Sequence, residues 1–333
     1  MDHLSESNTA RTGSEKGRFA LLCSCVFILV LLLSSCDLST PPSHDSTQSR
    51  TFTGSSTQPI TYSINAHDVL IRTFYGGGLY GSLSLNPQLS IYGDGTYIIG
   101  LDRQGKLSTE ELQPLLNALV NTYGLLNFSH QRFSDIQDEN ATFLELALNG
   151  KQKELIYGTL DNTEASAQEL DEYRRLGKAI TAINETLKGS TQPYKATTIA
   201  LLARQTFSPD LQRTIPSWPI SDFTLAQAAV YECGAVPADE TSQNAETACL
   251  KFAIPSHAIL LNASQVRTIK EALQGTQGDF TEQGLYYTVI LRPLLPDEFV
   301  RKTLAMFGSE QGSYRGVPLL SGVVPPVPSP TPT

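Results

Sequence analysis

Fifteen consecutive residues, Phe19 to Leu33, are nearly all apolar, and no other feature restricts so strongly what this 333-residue chain can become. Lys16 and Arg18 precede the run and small residues follow it, the charged, apolar, small-residue order of a secretory signal. A permanent span needs about 20 apolar residues. Here the uncharged interval ends at Cys36, because Asp37 follows at once. The run is therefore expected to direct export, so that the rest of the chain folds outside the cytoplasm.

Leu33-Ser34-Ser35-Cys36 closes the run: a branched apolar residue, two small residues, then cysteine. This resembles the lipobox of bacterial lipoproteins, and the resemblance covers the first 36 residues. It implies a signal peptide of residues 1–35, cleavage between Ser35 and Cys36, and a diacylglycerol on the Cys36 sulfur, with a further acyl group such as palmitate on the new amino terminus. Small side chains at Ser34 and Ser35 let an extended backbone enter a narrow protease site. One acyl chain binds a bilayer marginally and two hold it stably, at about 0.8 kcal/mol per buried CH₂. An uncleaved signal anchor, or an ordinary signal with a chance cysteine, is the competing reading. Cys23 and Cys25 would leave with the signal.

Residues 1–35 hold three basic groups (Arg11, Lys16, Arg18) and three acidic ones (Asp2, Glu6, Glu15), so their removal leaves the net charge of −9 unchanged. That balance disfavours nucleic acid, whose binding depends on Lys and Arg neutralising phosphates, and it disfavours electrostatic docking on anionic lipid. The expected membrane contact is the lipid on Cys36.

Residues 36–59, rich in Ser, Thr, Pro and Gln, carry too few apolar groups to offset the entropy of ordering and read as a tether. Residues 322–333, with Pro325-Pro326-Val327-Pro328, read as an extended solvated tail. Between them the length suggests two units, 60–189 and 195–320. In the first, Asp68–Tyr75 reads as a strand. Leu89–Tyr92 and Thr96–Leu101 read as a hairpin turning at Gly93-Asp94-Gly95. Ser108 and Glu111 have capping-box spacing before Leu112, Leu115, Leu116, Leu119 and Val120 at helical period, with Pro114 early in the helix. Thr142–Leu148 and Glu154–Tyr157 form a second hairpin at Asn149-Gly150. Glu164–Leu187 closes the unit as an amphipathic helix with Leu170, Tyr173, Leu176, Ile180 and Ile183 on one face.

In the second unit, Ala226–Cys233, Cys249–Ile254 and Leu285–Leu291 read as strands, and Ala263–Leu273 and Asp297–Phe307 as helices. The expected fold class is α+β, two small units of antiparallel sheet plus helix. The similar order of elements would fit a duplicated module. The Tyr92-Gly93-Asp94-Gly95-Thr96 turn and the Arg292-Pro293-Leu294-Leu295-Pro296-Asp297 segment resemble features of uncharacterised secreted bacterial proteins, a resemblance that implies no activity.

Cys233 and Cys249 are the only cysteines after Cys36, with fifteen residues between them, and outside the cytoplasm they are a candidate disulfide. By the chain-entropy model such a loop gains about 3 kcal/mol. Two separate buried thiols are the alternative, and a zinc site is disfavoured without a neighbouring histidine. Gly76-Gly77-Gly78 with Gly81 lacks the Lys and Ser/Thr of a phosphate loop and reads as a flexible connection. Of His44, His67, His130 and His257, His67 and His130 are the candidate bases of a hydrolase, yet no serine stands in a Gly-x-Ser-x-Gly elbow. Asp135, Asp138 and Glu139 offer hard oxygen ligands to calcium without the EF-hand spacing, and a solvated acidic loop is the plainer reading. Trp218 between Pro216 and Pro219, with Tyr286 and Tyr287, could line a binding surface or be packed. The expectation is a lipid-anchored protein that binds an unknown protein or small molecule, or makes structural contact, with no cofactor and no catalytic residues assigned. An extracytoplasmic hydrolase and a calcium-dependent binding module are the alternatives.

Overall fold

The computed structural model describes residues 60–77, 86–135, 139–206, 209, 214–232, 254–308 and 313–322. Cys36, His44, Gly78, Gly81, Asp138, Cys233, Cys249, the tether and the residues beyond 322 lie outside the described residues. The fold is α+β, with helices on mostly antiparallel sheets.

Turn chemistry sets the first sheet. β1 (Val69–Gly77) pairs antiparallel with β2 (Leu89–Tyr92), which turns into β3 (Thr96–Ile99) and then β4 (Arg103–Lys106). Between β2 and β3 the three-residue loop closes with the Gly95 N–H donating to the Tyr92 carbonyl at 2.9 Å. Gly95 takes φ of +83°, the left-handed conformation this loop length needs. β5 (Arg132–Phe133) is short. β6 (Asn140–Leu148) and β7 (Lys151–Tyr157) form the other hairpin, with Asn149 and Gly150 at φ of 53° and 66°, as a two-residue primed turn requires. With β8 (Gln192–Pro193) the order is β5-β7-β6-β1-β2-β3-β4-β8, antiparallel except for the β5–β7 pair.

Two helices cover one face of this sheet. α1 (Thr109–Asn117) starts where the spacing predicts, the Ser108 N–H donating to Glu111 Oε2 at 2.8 Å. Past Pro114 it widens into a π turn, Ala118–Thr122, so Leu119 and Val120 still reach the core. α2 (Ala167–Thr186) buries Leu176, Ala179 and Ile183. Leu170, expected on the buried face, is 40% exposed, because the packed stripe starts one turn later. A register shift between Val69 and Ile71 places Leu70 and Ile71 together in this helix-side core.

The second sheet comes from β9 (Ile199–Thr206), β12 (Ala258–Leu261), β13 (Gln277–Glu282), β14 (Leu285–Pro293), β15 (Thr303–Gly308) and β16 (Ser313–Ser321). Its order is β13-β14-β9-β12-β16-β15, with β12 and β16 parallel. β10 (Tyr231–Glu232) and β11 (Ile254–Pro255) make a separate two-stranded pair. α3 (Leu225–Ala228) and α4 (Ala263–Leu273) pack on one face, where Phe223, Leu225 and Ile269 meet Leu201, Ile259 and Val289. α5 (Pro296–Arg301) precedes β15.

Two expectations are corrected here. Ala226–Cys233, read as a strand, begins inside α3, because the Thr224–Gln227 capping pair starts a helical turn; among the described residues of that stretch only Tyr231–Glu232 forms a strand. Asp297–Phe307, read as one helix, is α5 followed by a strand: Lys302 adopts φ of 55° and ends the helix, and Leu304 and Met306 alternate with Ala305 across β15. The two sheets differ in strand order, and no duplication is shown.

The sheets share buried side chains. Leu295, just before α5, packs with Val69, Tyr92 and Ile98, and Ala305 packs with Phe74, Ala141, Phe143 and Ile156. The inner face of the first sheet thus meets α5 and β15.

Candidate functional site

At this seam, alternation along β1 places Arg72 and Phe74 on the side away from the helices, and α5 offers Asp297 and Glu298 inward. Arg72, Arg292 and Asp297 are each 1% exposed, and Glu298 is fully buried. Ions so placed are tolerable only with close partners. Asp297 Oδ1 accepts from Arg72 Nη2 at 2.7 Å and from the Tyr92 hydroxyl at 2.9 Å, while Arg72 Nε donates to Ser90 Oγ at 2.9 Å. Glu298 receives Arg292 in a two-pronged bond, 2.7 Å to Oε2 and 2.8 Å to Oε1.

Glu298 also completes the backbone around it. Its Oε2 accepts from the Leu295 N–H at the start of α5, and its Oε1 accepts from the Ala305 N–H, both at 2.8 Å. Arg292 Nη2 reaches the Ala305 carbonyl at 3.5 Å. β15 is the last strand of its sheet, so this carboxylate and guanidinium stand where a neighbouring strand would present a carbonyl and an N–H. The Tyr92 turn and the Arg292–Asp297 segment, separate in sequence, therefore meet through the Tyr92–Asp297 bond.

Glu145 of β6 lies across from Arg72 on one side and Glu154 on the other. Two buried guanidiniums already face two buried carboxylates, so Glu145 is a third acid beside a balanced set. Its Oε2 is buried with no hydrogen-bond partner among the described residues. Burial raises its pKa above the usual carboxylate value, and Glu154 and Asp297 add to the rise against the pull of Arg72. Burial, then Asp297, push the Tyr92 hydroxyl well up, and burial holds Tyr194, whose hydroxyl donates to the Leu294 carbonyl at 2.7 Å, at about 12.

The second cluster contains a candidate base. His130 Nδ1 lies 2.9 Å from Glu172 Oε2 and 3.1 Å from Ser129 Oγ. Glu172 also accepts from the backbone N–H groups of Ser129 and His130, each at 3.1 Å, and from Gln168 Nε2. Burial opposes ionisation of Glu172, but the donors from Ser129, His130 and Gln168 prevail and bring it down to about 2. A nucleophile relay needs the serine on one ring nitrogen and the acid on the other. Here both meet Nδ1, and Ser129 Oγ bonds to Glu172 Oε1 at 3.1 Å as well. The arrangement pins the loop before β5 onto α2.

The other candidates fall apart from one another. His67 is exposed in the turn before β1, its backbone N–H on Asn65 Oδ1 at 3.1 Å. His257 has Nε2 at 2.9 Å from the Gln227 carbonyl and Nδ1 at 2.9 Å from Ser256 Oγ. Both Asp135 oxygens accept from the Asp161 N–H, and Glu139 accepts from the Thr159 hydroxyl. No group of three His, Cys, Asp or Glu suited to a metal occurs among the described residues. Trp218 packs edge-on to Phe280 at 5.0 Å and donates from Nε1 to the Phe223 carbonyl at 3.1 Å. Tyr287 is buried and Tyr286 half-buried. Sequence reading missed Arg72, Glu145, Glu172 and Glu298; the available signal was a lone charge inside an apolar alternation, as in Val69-Leu70-Ile71-Arg72-Thr73-Phe74.

No protein-family model, curated protein or solved structure matches this chain. Among the described residues no helix is long and apolar enough to cross a membrane.

Proposed function

We propose that the chain is a lipid-anchored protein of the extracytoplasmic face that works by binding or structural contact. The observation that carries the reading is Leu33-Ser34-Ser35-Cys36 at the end of the apolar run Phe19–Leu33. Support for contact over turnover comes from His130, whose one nitrogen is shared between Ser129 and Glu172, and from charged groups committed to the seam. A disulfide between Cys233 and Cys249 belongs to the same reading, since the exterior is oxidising.

The full chain, expressed in a bacterium fed a clickable palmitate analogue, tests this. Membrane-bound label on a product whose first residue is acylated Cys36 is the expected result, and Cys36→Ser should lose it. Unmodified sulfur at Cys36, or Met1 retained on the membrane-bound product, would overturn the anchor. Ester, peptide or glycoside turnover abolished by His67→Ala or His130→Ala would replace contact with hydrolysis. A rise in thermal midpoint with calcium, removed by Asp138→Ala, would favour the calcium-dependent module.

A further inference from the structure

A cleft of about 470 Å³ opens in the second half of the molecule, within the size range of small-ligand sites. Its three sides come from residues 214–216, the last turn of α4, and the β13–β14 hairpin. Residues 214–218 run beside β13: the Thr281 N–H donates to the Pro216 carbonyl, and the Trp218 N–H to the Thr281 carbonyl, each at 2.9 Å. Trp218, wedged against Phe280, fixes that wall. α4 ends at Leu273, and Gln274 takes φ of 53° at the rim.

The chemistry of the wall is one-sided. Among the described residues, Asp279 is the only ionisable one lining the cleft, with no Lys, Arg or His beside it. The Thr288 hydroxyl donates its proton to Asp279 Oδ1 at 2.7 Å and so turns its lone pairs outward. The C-terminal turn of α4 carries the negative end of the helix dipole and backbone carbonyls that lack intrahelical partners. Gln274 and Gln277 add amides, while Pro216 and Leu273 supply apolar sides. Such a cleft repels anions. It favours a positive group on an aliphatic stem, because the stem can lie on the apolar sides while the head meets the carboxylate. The chain's net charge of −9 draws cations toward it.

We infer that this cleft binds a basic side chain of a partner polypeptide, a primary ammonium or guanidinium held by Asp279 and bordered by the end of α4. The inference rests on the binding reading above and names the ligand class. Trp218, the only tryptophan of the chain, follows the lining residue Pro216 by two positions, so its fluorescence is read alongside calorimetry as a probe of that wall.

The full chain in detergent would be titrated with four capped tripeptides, glycine on either side of lysine, arginine, norleucine or glutamate. Saturable change with lysine and arginine, weaker at high salt, and none with norleucine or glutamate is expected. Asp279→Asn should weaken lysine and arginine binding at least tenfold with an unchanged thermal midpoint. Equal response to norleucine, equal affinity in Asp279→Asn, or no response in fluorescence and calorimetry would overturn the assignment. Should Asp279→Asn fold poorly, Thr214→Arg places a cation in the cleft from its exposed rim, and undiminished peptide binding by that variant would be equally fatal. These outcomes leave acylation of Cys36 and the absence of turnover to be decided by their own experiments.

Discussion

Replacing Glu298 by alanine removes, in one step, the acceptor for four hydrogen bonds: two from Arg292 and one each from the Leu295 and Ala305 N–H groups. Arg292, 1% exposed, loses its carboxylate. Breaking one partner of a buried ion pair costs about 3–5 kcal/mol. The orphaned Ala305 N–H, in a residue with no exposed surface, moves the expectation to the upper part of that range. A loss of about 4 kcal/mol lowers the thermal midpoint by roughly 8–16 °C for a unit of this size. Glu298→Gln should fall between, since an amide oxygen still accepts from one N–H. Arg292→Leu combined with Glu298→Leu should recover only part, because the backbone donors stay unmatched. Calorimetry and urea unfolding measure all three. A Glu298→Ala protein within about 1 kcal/mol of the parent would refute the assignment of this carboxylate to the closure of β15.

Three further outcomes follow from the same seam and from the loop at His130. Asp297→Asn, which keeps an oxygen for Tyr92 but removes the charge facing Arg72, should destabilise by about 3 kcal/mol in urea unfolding, and a neutral effect would contradict the pairing. For Glu145 the folded value is raised, so the folded state favours the protonated acid; its contribution is full below the ordinary value of 4.5 and is lost as pH rises through the raised value. Glu145→Gln should therefore stabilise the protein at neutral pH and flatten that part of the stability profile, which thermal melts across pH would show. Glu172 has the opposite sign: lowered to about 2, it contributes above 4.5 and loses that contribution as pH falls toward 2, so Glu172→Gln should weaken the protein at neutral pH and blunt its acid sensitivity. Proteolysis or amide exchange at residues 128–133 would locate the effect.

Local chemistry made the first half readable. Asn149-Gly150 and Gly93-Asp94-Gly95 demanded turns, and Ser108 with Glu111 marked a helix start, so β2, β3, β6, β7, α1 and α2 could be drawn from spacing alone. The second half depended on pairing between distant segments. β9 and β16 lie over a hundred residues apart and both neighbour β12, a relation no local pattern encodes. Asp297–Phe307 misled because Phe299, Val300, Leu304 and Phe307 fit a helical period, while a left-handed Lys302 divides them. The seam stayed hidden for a related reason: Arg72, Tyr92, Glu145 and Asp297 are ordinary polar residues until two sheets remove them from water. In the Arg292–Asp297 segment the residues were noticed, yet nothing in their spacing tells that Glu298 would serve a strand still to come.

Nearness along the chain has a consequence of its own. Arg292, Glu298 and Ala305 fall within fourteen positions, so the stop for the outer rim of β15 is close at hand when the strand forms. An unprotected rim invites pairing with another molecule's backbone, most dangerously while a chain is partly assembled. Here the guard is made of side chains close by in sequence, and the final hairpin can be sealed before the earlier sheet has docked. A substitution at Glu298 should therefore harm yield through aggregation during assembly as well as through the lower midpoint of the finished protein.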